Sequence, residues 1–321
     1  MLDAIRKPVA EELQRFNRLV EERFESGDGL IASILTYVLE QKGKQMRPLL
    51  VLLTAGLNGK VGDLALTGAM LAEMAHTSSL IHDDVVDEAH MRRGQLSVNA
   101  VWRSKTAVLA GDYLLAQAMD TSLRDGGEKL LPPIIEAFRE LAEGELIQLE
   151  HASRLDMTEA LYYEIIRKKT ASLLGACGAM GAIAAEAGSA AEEDMRTFGT
   201  CIGMAFQIRD DMLDYEGART GKPECEDLRE RKVTLPLLYL LDRAEPAERK
   251  QLIRLLCRAE EDEAAVTALR ERVLRGGGMD HAEQAMAGFR DKALAVLERY
   301  PDSPYRESLR LYCRYILERD R

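Results

Sequence analysis

Apolar residues recur every three to four positions through 64–86, 107–123, 133–149, 157–184, 195–213 and 303–317. That spacing lays an apolar stripe along one face of an α-helix. Period-two alternation of β-branched and polar residues, the mark of a half-buried strand, is hard to find. Asp156 followed by Glu159 reads as a capping box. Pro132-Pro133 and Pro236 suit first turns of other helices. Breaks fall at Asn58-Gly59, Asp125-Gly126-Gly127, 217–225 and Gly276-Gly277-Gly278. The pattern predicts roughly a dozen helices and an all-α fold. Residues 175–188 are crowded with Gly and Ala, which lets helices approach closely. No linker-like stretch or fixed repeat interrupts the chain, so residues 1–321 read as one domain.

Composition narrows the function classes. Of 321 residues, 46% are hydrophobic and 30% charged, too apolar for a disordered chain. Mean hydropathy is -0.21, too low for a multispanning membrane protein. The longest apolar run, 49–57, falls short of the ~20 residues that span a bilayer. The first twenty residues are charged and amphipathic, without the apolar centre of a signal peptide; a cytoplasmic protein is expected. Lys and Arg number 43 against 54 Asp and Glu, a net charge of -11, which argues against nucleic-acid binding. The five cysteines are far apart and include no Cys-x-x-Cys. Free, mostly buried thiols are expected rather than disulfides or structural zinc.

Two acidic clusters carry the chemistry: Asp83-Asp84-x-x-Asp87 and Asp210-Asp211-x-x-Asp214. Each ends a long predicted helix whose preceding turns are apolar or small. Helical residues four apart share a face, so Asp83 projects with Asp87 and Asp210 with Asp214, with Asp84 and Asp211 beside them. Stacked like charges destabilise a helix unless something positive neutralises them. Mg²⁺, which keeps waters and takes one or two carboxylates together with substrate phosphates, fits that role. Either cluster alone reads equally well as a solvated helix end; two of them, facing one another across a cavity, would form a metal–diphosphate clamp. Basic residues accompany them: Lys44, Arg47, Arg92, Arg93, Lys168, Lys169, Arg209, Lys222 and Lys232. Arg binds phosphate oxygens as a fork and Lys as a mobile point charge.

The chain resembles the trans-isoprenyl diphosphate synthases, the polyprenyl synthetase family, along nearly its whole length. The resemblance is carried by Gly43-Lys44-x-x-Arg47-Pro48, Glu73-x-x-His76, 79–87, Arg92-Arg93-Gly94 and Gly111-Asp112-Tyr113-Leu114. Lys169-Thr170-Ala171, Phe206-Gln207-x-x-Asp210-Asp211-x-x-Asp214, Gly221-Lys222-Pro223, Asp227-Leu228 and Lys232-x-Thr234-Leu235-Pro236 complete it.

This resemblance implies an all-α isoprenoid synthase fold, a helical bundle around a central active-site cavity, and a homodimer. It implies that Asp83, Asp84, Asp87 and Asp210 bind Mg²⁺ with the diphosphate of an allylic substrate, supported by Arg92, Lys169, Lys222 and Lys232. Asp211 and Asp214 complete the metal set, with about three ions per active site. Lys44, Arg47, His76 and Arg93 resemble a pocket for isopentenyl diphosphate. Lys169, Thr170 and Gln207 line the region where a carbocation forms. The implied reaction is ionisation of the allylic diphosphate, attack by the double bond of isopentenyl diphosphate in a 1'-4 head-to-tail sense, and loss of a proton to the departing diphosphate. Three positions depart from the family pattern: Gln45 stands where a basic residue is common, and Cys225 and Arg231 where glycine is usual.

Product length is read from the helix ahead of the first cluster. Back from Asp83, one turn at a time, stand Ser79, then Ala75 or His76, then Ala72, then Gly68. One helical turn is ~5.4 Å, close to an extended isoprene unit. Short-chain relatives carry bulky aromatic residues where this chain has Ser78 and Ser79. A deep tunnel and a long all-trans product of roughly six to nine units are expected by family analogy, for quinone side chains.

Other readings compete. A diiron carboxylate bundle would use Glu73-x-x-His76, but no second Glu-x-x-His exists. A terpene cyclase needs neither the second cluster nor an isopentenyl diphosphate pocket. Intact aspartates speak against a purely regulatory subunit. A geranylgeranyl diphosphate synthase and the catalytic subunit of a heteromeric synthase stay open as variants of the main reading. Arg306, Arg310 and Arg314 form a stripe on the last helix, read as a solvated face, with the rim of the site or peripheral membrane contact during product delivery as the alternatives.

Overall fold

The helical periodicity dominates the computed structural model, which describes residues 1–24, 29–41, 43–154, 156–216 and 225–318. In order the α-helices are α1 (Leu2–Arg6), α2 (Ala10–Phe24), α3 (Leu30–Glu40), α4 (Met46–Asn58), α5 (Asp63–Val86), α6 (Val98–Arg124), α7 (Leu131–Arg154) and α8 (Glu159–Ile166). They continue with α9 (Ser172–Ala184), α10 (Ser189–Glu216), α11 (Glu226–Arg229), α12 (Leu235–Arg243), α13 (Pro246–Arg258), α14 (Glu263–Arg275), α15 (Gly278–Leu297) and α16 (Pro304–Leu317). The all-α expectation holds with one small addition. Met91–Arg92 (β1) and Gln95–Leu96 (β2) pair antiparallel around the turn at Arg93 and Gly94. Two residues per strand are too few for alternation to register in the sequence.

Local chemistry explains most boundaries. Gly59 (φ 155) and Gly277 (φ 81) end or begin helices with backbone angles an L residue rarely adopts. The capping box at Asp156 does not form. Thr158 is the N-cap of α8, its hydroxyl accepting from Leu161 N at 3.2 Å, while Asp156 is held by His151. The helical run over 157–184 also carries a π-helical segment at Arg167–Ala171.

The described chain forms two compact units. The first comprises Met1–Ile135, Ala176–Arg196 and Tyr300–Leu309; the second comprises Glu136–Gly175, Thr197–Arg299 and Arg310–Arg321. In the first unit α4 is buried from Pro48 to Gly56. A Cβ on Gly181 would lie 1.9 Å from Thr54 Oγ1, and one on Gly178 2.1 Å from the Met195 carbonyl. The Gly/Ala stretch is thus where helices touch backbone to backbone. Ser78 Oγ donates to the Gly111 carbonyl at 2.8 Å and ties α5 to α6. In the second unit the core gathers Ile208, Met212, Tyr215, Leu235, Leu238 and Leu269, all buried. Gly199 and Gly203 bring α10 within 2.1 Å (Leu174 carbonyl) and 2.5 Å (Ala171 Cα) of where their side chains would be.

All five cysteines are free, and all but Cys257 are buried. The arginine stripe is not a purely solvated face. Arg306 is buried and its Nη1 donates to Asp302 at 2.6 Å, while Arg310 and Arg314 pair with Glu298 and Glu318. Among the described residues no helix is long and apolar enough to cross a membrane.

Candidate active site

The first aspartate row ends α5. The C-cap is Asp87, whose N–H returns to the Asp83 carbonyl at 2.8 Å. Asp87 is exposed and Asp83 half-buried, while Asp84 is turned inward and is 2% exposed. Arg92, brought back by the β1–β2 turn, donates to Asp84 Oδ1 from Nε at 2.8 Å and from Nη2 at 2.5 Å. Burial pushes the Asp84 carboxyl up, against the pull of Arg92. The structure therefore separates the three aspartates. One is a buried partner of arginine, and two remain where a cation can reach them.

Next to this row lies a recess of about 60 Å³ lined by Glu73, Asp84, Arg92, Arg93, Gln41 and Gln45 with apolar residues of α2, α3 and α5. Arg93, at φ 52, donates from Nη1 to the Gln41 carbonyl at 2.7 Å. Gly43 makes room for it, since a Cβ there would meet the guanidinium at 2.6 Å. Gln41 Nε2 and Tyr37 Oη both donate to the Leu96 carbonyl, at 3.1 and 2.8 Å, and latch β2 to α3. His76 is held well below the usual imidazole range, first by burial and then by Arg47, Arg93 and Arg92, so it is neutral at pH 7. Burial raises the Glu73 carboxyl while Arg47 and Arg93 lower it. Arg47 Nε is buried without a hydrogen-bond partner among the described residues. Arg47, His76 and Arg93 thus share one electrostatic neighbourhood, whereas Lys44 is exposed, its carbonyl accepting from Arg6. Gln45 takes a left-handed conformation (φ 55) ahead of α4 and donates to Asn17 at 2.7 Å.

The chain-length positions differ from one another. Ser78 is fully buried and spent on Gly111; Ser79 donates to the His76 carbonyl of its own helix at 2.8 Å; Ala75 and Ala72 are fully buried. Gly68, deeper along α5, lies against Val51, Leu130 and Met180.

In the second unit the second row ends α10 in a parallel way. Asp210 is exposed, Asp214 half-buried and Asp211 5% exposed. Tyr162 Oη donates to Asp211 Oδ2 at 2.6 Å and Gln207 Nε2 to Oδ1 at 2.9 Å. Because Gln207 gives its amide N–H to Asp211, its Oε1 is free to accept from Thr170 Oγ1, at 2.8 Å. Burial first, then Asp227, pushes the Asp211 carboxyl well above the usual range. Burial and Asp211 raise the Tyr162 hydroxyl, which keeps its proton and its donor role. Asp214 Oδ1 accepts from Glu226 N at 2.9 Å and caps α11. Arg209 is committed to Glu216 by two bonds, of 2.7 and 3.1 Å.

A recess of about 120 Å³ opens beside this network, lined by Lys169, Thr170, Gln207, Asp211, Asp227 and Lys232 among others. Lys169 and Thr170 reach it from the π-helical segment, whose extra residue per turn reorients side chains and is frequent at functional sites. Lys169 Nζ lies 2.5 Å from Glu145 Oε2 and 3.4 Å from Gln148 Oε1; Lys232 pairs with Glu230. Lys222 lies outside the described residues. Cys225 (φ 60) and Arg231 (φ 56) both take left-handed conformations, which accounts for the usual glycine there. Sequence reasoning missed the π segment and Tyr162. A π turn leaves no period of its own, and Tyr162 reads as one more apolar position of α8.

The donor set fits a hard divalent cation. Asp83, Asp87, Asp210 and Asp214 offer carboxylate oxygens, the ligand type Mg²⁺ takes. Among the described residues no three His, Cys, Asp or Glu side chains form a ready metal cage.

Known proteins are similar to this chain in sequence and in fold. The family model described as polyprenyl synthetase matches residues 28–273. The octaprenyl diphosphate synthase of Escherichia coli is 34% identical over 100% of this chain and 99% of its own length. A crystal structure of a decaprenyl diphosphate synthase from Rhodobacter capsulatus superposes with a TM-score of 0.93 at 34% identity, covering 100% of both chains. A polyprenyl synthase from Caulobacter crescentus, solved with calcium and isoprenyl diphosphate, gives 0.91 at 34% identity over 100% of this chain and 98% of its own.

Proposed function

The chain belongs to the polyprenyl synthetase family and is a prenyltransferase, and from that premise we propose a long-chain, all-trans polyprenyl diphosphate synthase. It extends an allylic diphosphate, farnesyl or geranyl, by repeated head-to-tail addition of isopentenyl diphosphate. The observation that carries this reading is the matched ending of α5 and α10. Each holds one buried aspartate, Asp84 bonded to Arg92 and Asp211 to Tyr162, with an exposed aspartate beside it, Asp87 on α5 and Asp210 on α10.

Mg²⁺ would supply Lewis-acid charge to the leaving diphosphate; Asp83 and Asp87 would hold it at the end of α5, and Asp210 and Asp214 at the end of α10. Lys169 and Lys232 contribute fixed positive charge to the allylic diphosphate as its bond to carbon breaks. The Thr170–Gln207–Asp211 chain presents oriented dipoles where positive charge develops on the substrate, and the apolar walls at Ile165, Ile166 and Val233 exclude water that would trap the cation as an alcohol. Arg47, Arg93 and neutral His76 bind isopentenyl diphosphate, the arginines as ionic partners and the imidazole as a hydrogen-bonding group. No side-chain nucleophile takes part.

The long-chain assignment rests on Ser79 and Ala75, which leave the approach to Asp83 without a bulky side chain, whereas Ser78 is taken up by the contact with Gly111. The chain acts as a homodimer in this reading. Val108 and Leu109 of α6 are 40% and 60% exposed and supply an apolar face for a second copy. Incubation of the purified protein with Mg²⁺, isopentenyl diphosphate and farnesyl diphosphate, followed by chromatography of the products, tests the proposal. Products of roughly six to nine isoprene units are expected, and Asp83→Ala abolishes them. Absence of any elongation by the wild type would overturn the reading.

A further inference from the structure

His151 stands near the end of α7, one turn beyond Gln148 on the same helical face, and both residues line the recess beside Lys169. Nδ1 of His151 lies 2.6 Å from Asp156 Oδ1. That hydrogen bond holds the Asp156 carboxyl below its ordinary range, so the carboxylate is the acceptor and Nδ1 carries the proton. A ring held in this way has its tautomer and orientation fixed, and it is the other nitrogen that is left for a ligand. Among the described residues Nε2 has no hydrogen-bond partner of its own.

Two ligand classes suit such a nitrogen, a metal ion or an anion. The recess favours the anion. Lys169, Arg231 and Lys232 line it against two carboxyls, Asp227 and Asp211, the latter already bonded by Tyr162 and Gln207; the carboxylates that pair with the three basic residues, Glu145, Glu260 and Glu230, stand outside the lining. A cation at Nε2 would sit among these positive charges, and no described trio of His, Cys, Asp or Glu side chains is arranged to compensate it. A histidine ring whose two nitrogens both donate can hold a carboxylate at one and a phosphate oxygen at the other.

We infer that His151, oriented by Asp156, is an additional ligand of the allylic diphosphate, with Nε2 donating to a phosphate oxygen. The inference rests on the prenyl-transfer reading above. His151 then acts on the allylic substrate alone, because isopentenyl diphosphate is assigned to Arg47, His76 and Arg93 in the first unit.

Calorimetric titration of the full chain with inorganic pyrophosphate in Mg²⁺, together with KM for each diphosphate substrate, tests this. His151→Gln should weaken pyrophosphate binding and raise the allylic KM about 10-fold or more, the effect of a lost charge-assisted hydrogen bond, while the isopentenyl KM stays unchanged. His151→Lys restores the cation without the ring and should recover most of the affinity. Asp156→Asn should fall between wild type and His151→Gln. If wild type binds and elongates but His151→Gln matches it, the inference fails and the functional reading survives. It fails equally if His151→Gln is impaired and His151→Lys gives no recovery, for then the ring is structural. A wild type that neither binds pyrophosphate nor elongates defeats the functional reading and this inference with it.

Discussion

Tyr162 donates its hydroxyl to Asp211 at 2.6 Å, and both side chains are buried. The middle aspartate of the second row is therefore already satisfied by protein, with Gln207 on its other oxygen. Its counterpart Asp84 is held by Arg92, which donates twice to the single oxygen Oδ1. The two rows share a division of labour in which the inner carboxylate anchors neighbouring side chains, and in the proposed function the outer ones take the cation.

That division predicts how Mg²⁺ dependence responds to substitution. Asp84→Asn and Asp211→Asn should leave the Mg²⁺ concentration for half-maximal turnover within about 3-fold of wild type. Asp83→Asn and Asp210→Asn should raise it by at least about 10-fold, because each would remove one of the oxygen ligands proposed for the cation. Initial rates over a Mg²⁺ series decide this, and equal effects at inner and outer positions would reject the division.

The Arg92–Asp84 pair predicts a stability effect. Arg92→Leu leaves a buried carboxylate without its cation, which costs about 3–5 kcal/mol when one partner of a buried pair is lost. Arg92 is itself part-exposed, so the lower figure applies. Adding Asp84→Asn to Arg92→Leu should recover much of the loss, and urea unfolding of the two single variants and the double variant measures the coupling.

Much of this was legible in the sequence, for reasons that differ by feature. The long helices follow from an apolar period that burial enforces, as at α5 and α10. The aspartate rows follow from a fixed four-residue geometry that any helix imposes. The inward turn of Asp84 and Asp211 was not legible, because it depends on Arg92 and Tyr162, which only tertiary packing delivers. Cys225 and Arg231 lie between these cases: glycine was expected there by resemblance, and their positive φ supplies the physical reason. Asp156 was misread as a cap because the local motif lost to a partner on the preceding helix, His151.

Asp227 predicts a pH effect in metal-free protein. Burial first, then Asp214, raises its carboxyl to about 7. The folded state then holds a proton that the unfolded chain releases above its ordinary value near 4. Stability from this group is complete below pH ~4 and is lost as pH rises towards ~7. Asp227→Asn removes the dependence, so the variant should gain on wild type progressively from pH ~4 to ~7 in urea midpoints. A gap between the two proteins that is constant with pH would contradict the assignment.

Ser78 and Ser79 are adjacent in sequence and should respond oppositely to a large side chain. Ser78 Oγ lies 2.8 Å from the Gly111 carbonyl, with α5 and α6 so close that a Cβ on Gly111 would meet His82 Nε2 at 2.2 Å. A phenyl ring at 78 has no space, and Ser78→Phe should prevent folding or lower the thermal midpoint sharply, overpacking of this kind costing ~1–3 kcal/mol or more. Ser78→Ala loses one buried hydrogen bond, about 1 kcal/mol, and should leave product length unchanged. Ser79 uses its hydroxyl only within its own helix, so Ser79→Phe should fold, and its ring should block growth of the chain. Its products should be shorter by at least one isoprene unit per helical turn obstructed, each turn being ~5.4 Å. Reversed-phase separation of the dephosphorylated products reads this directly. A folded Ser79→Phe protein with wild-type product lengths would remove α5 as the ruler.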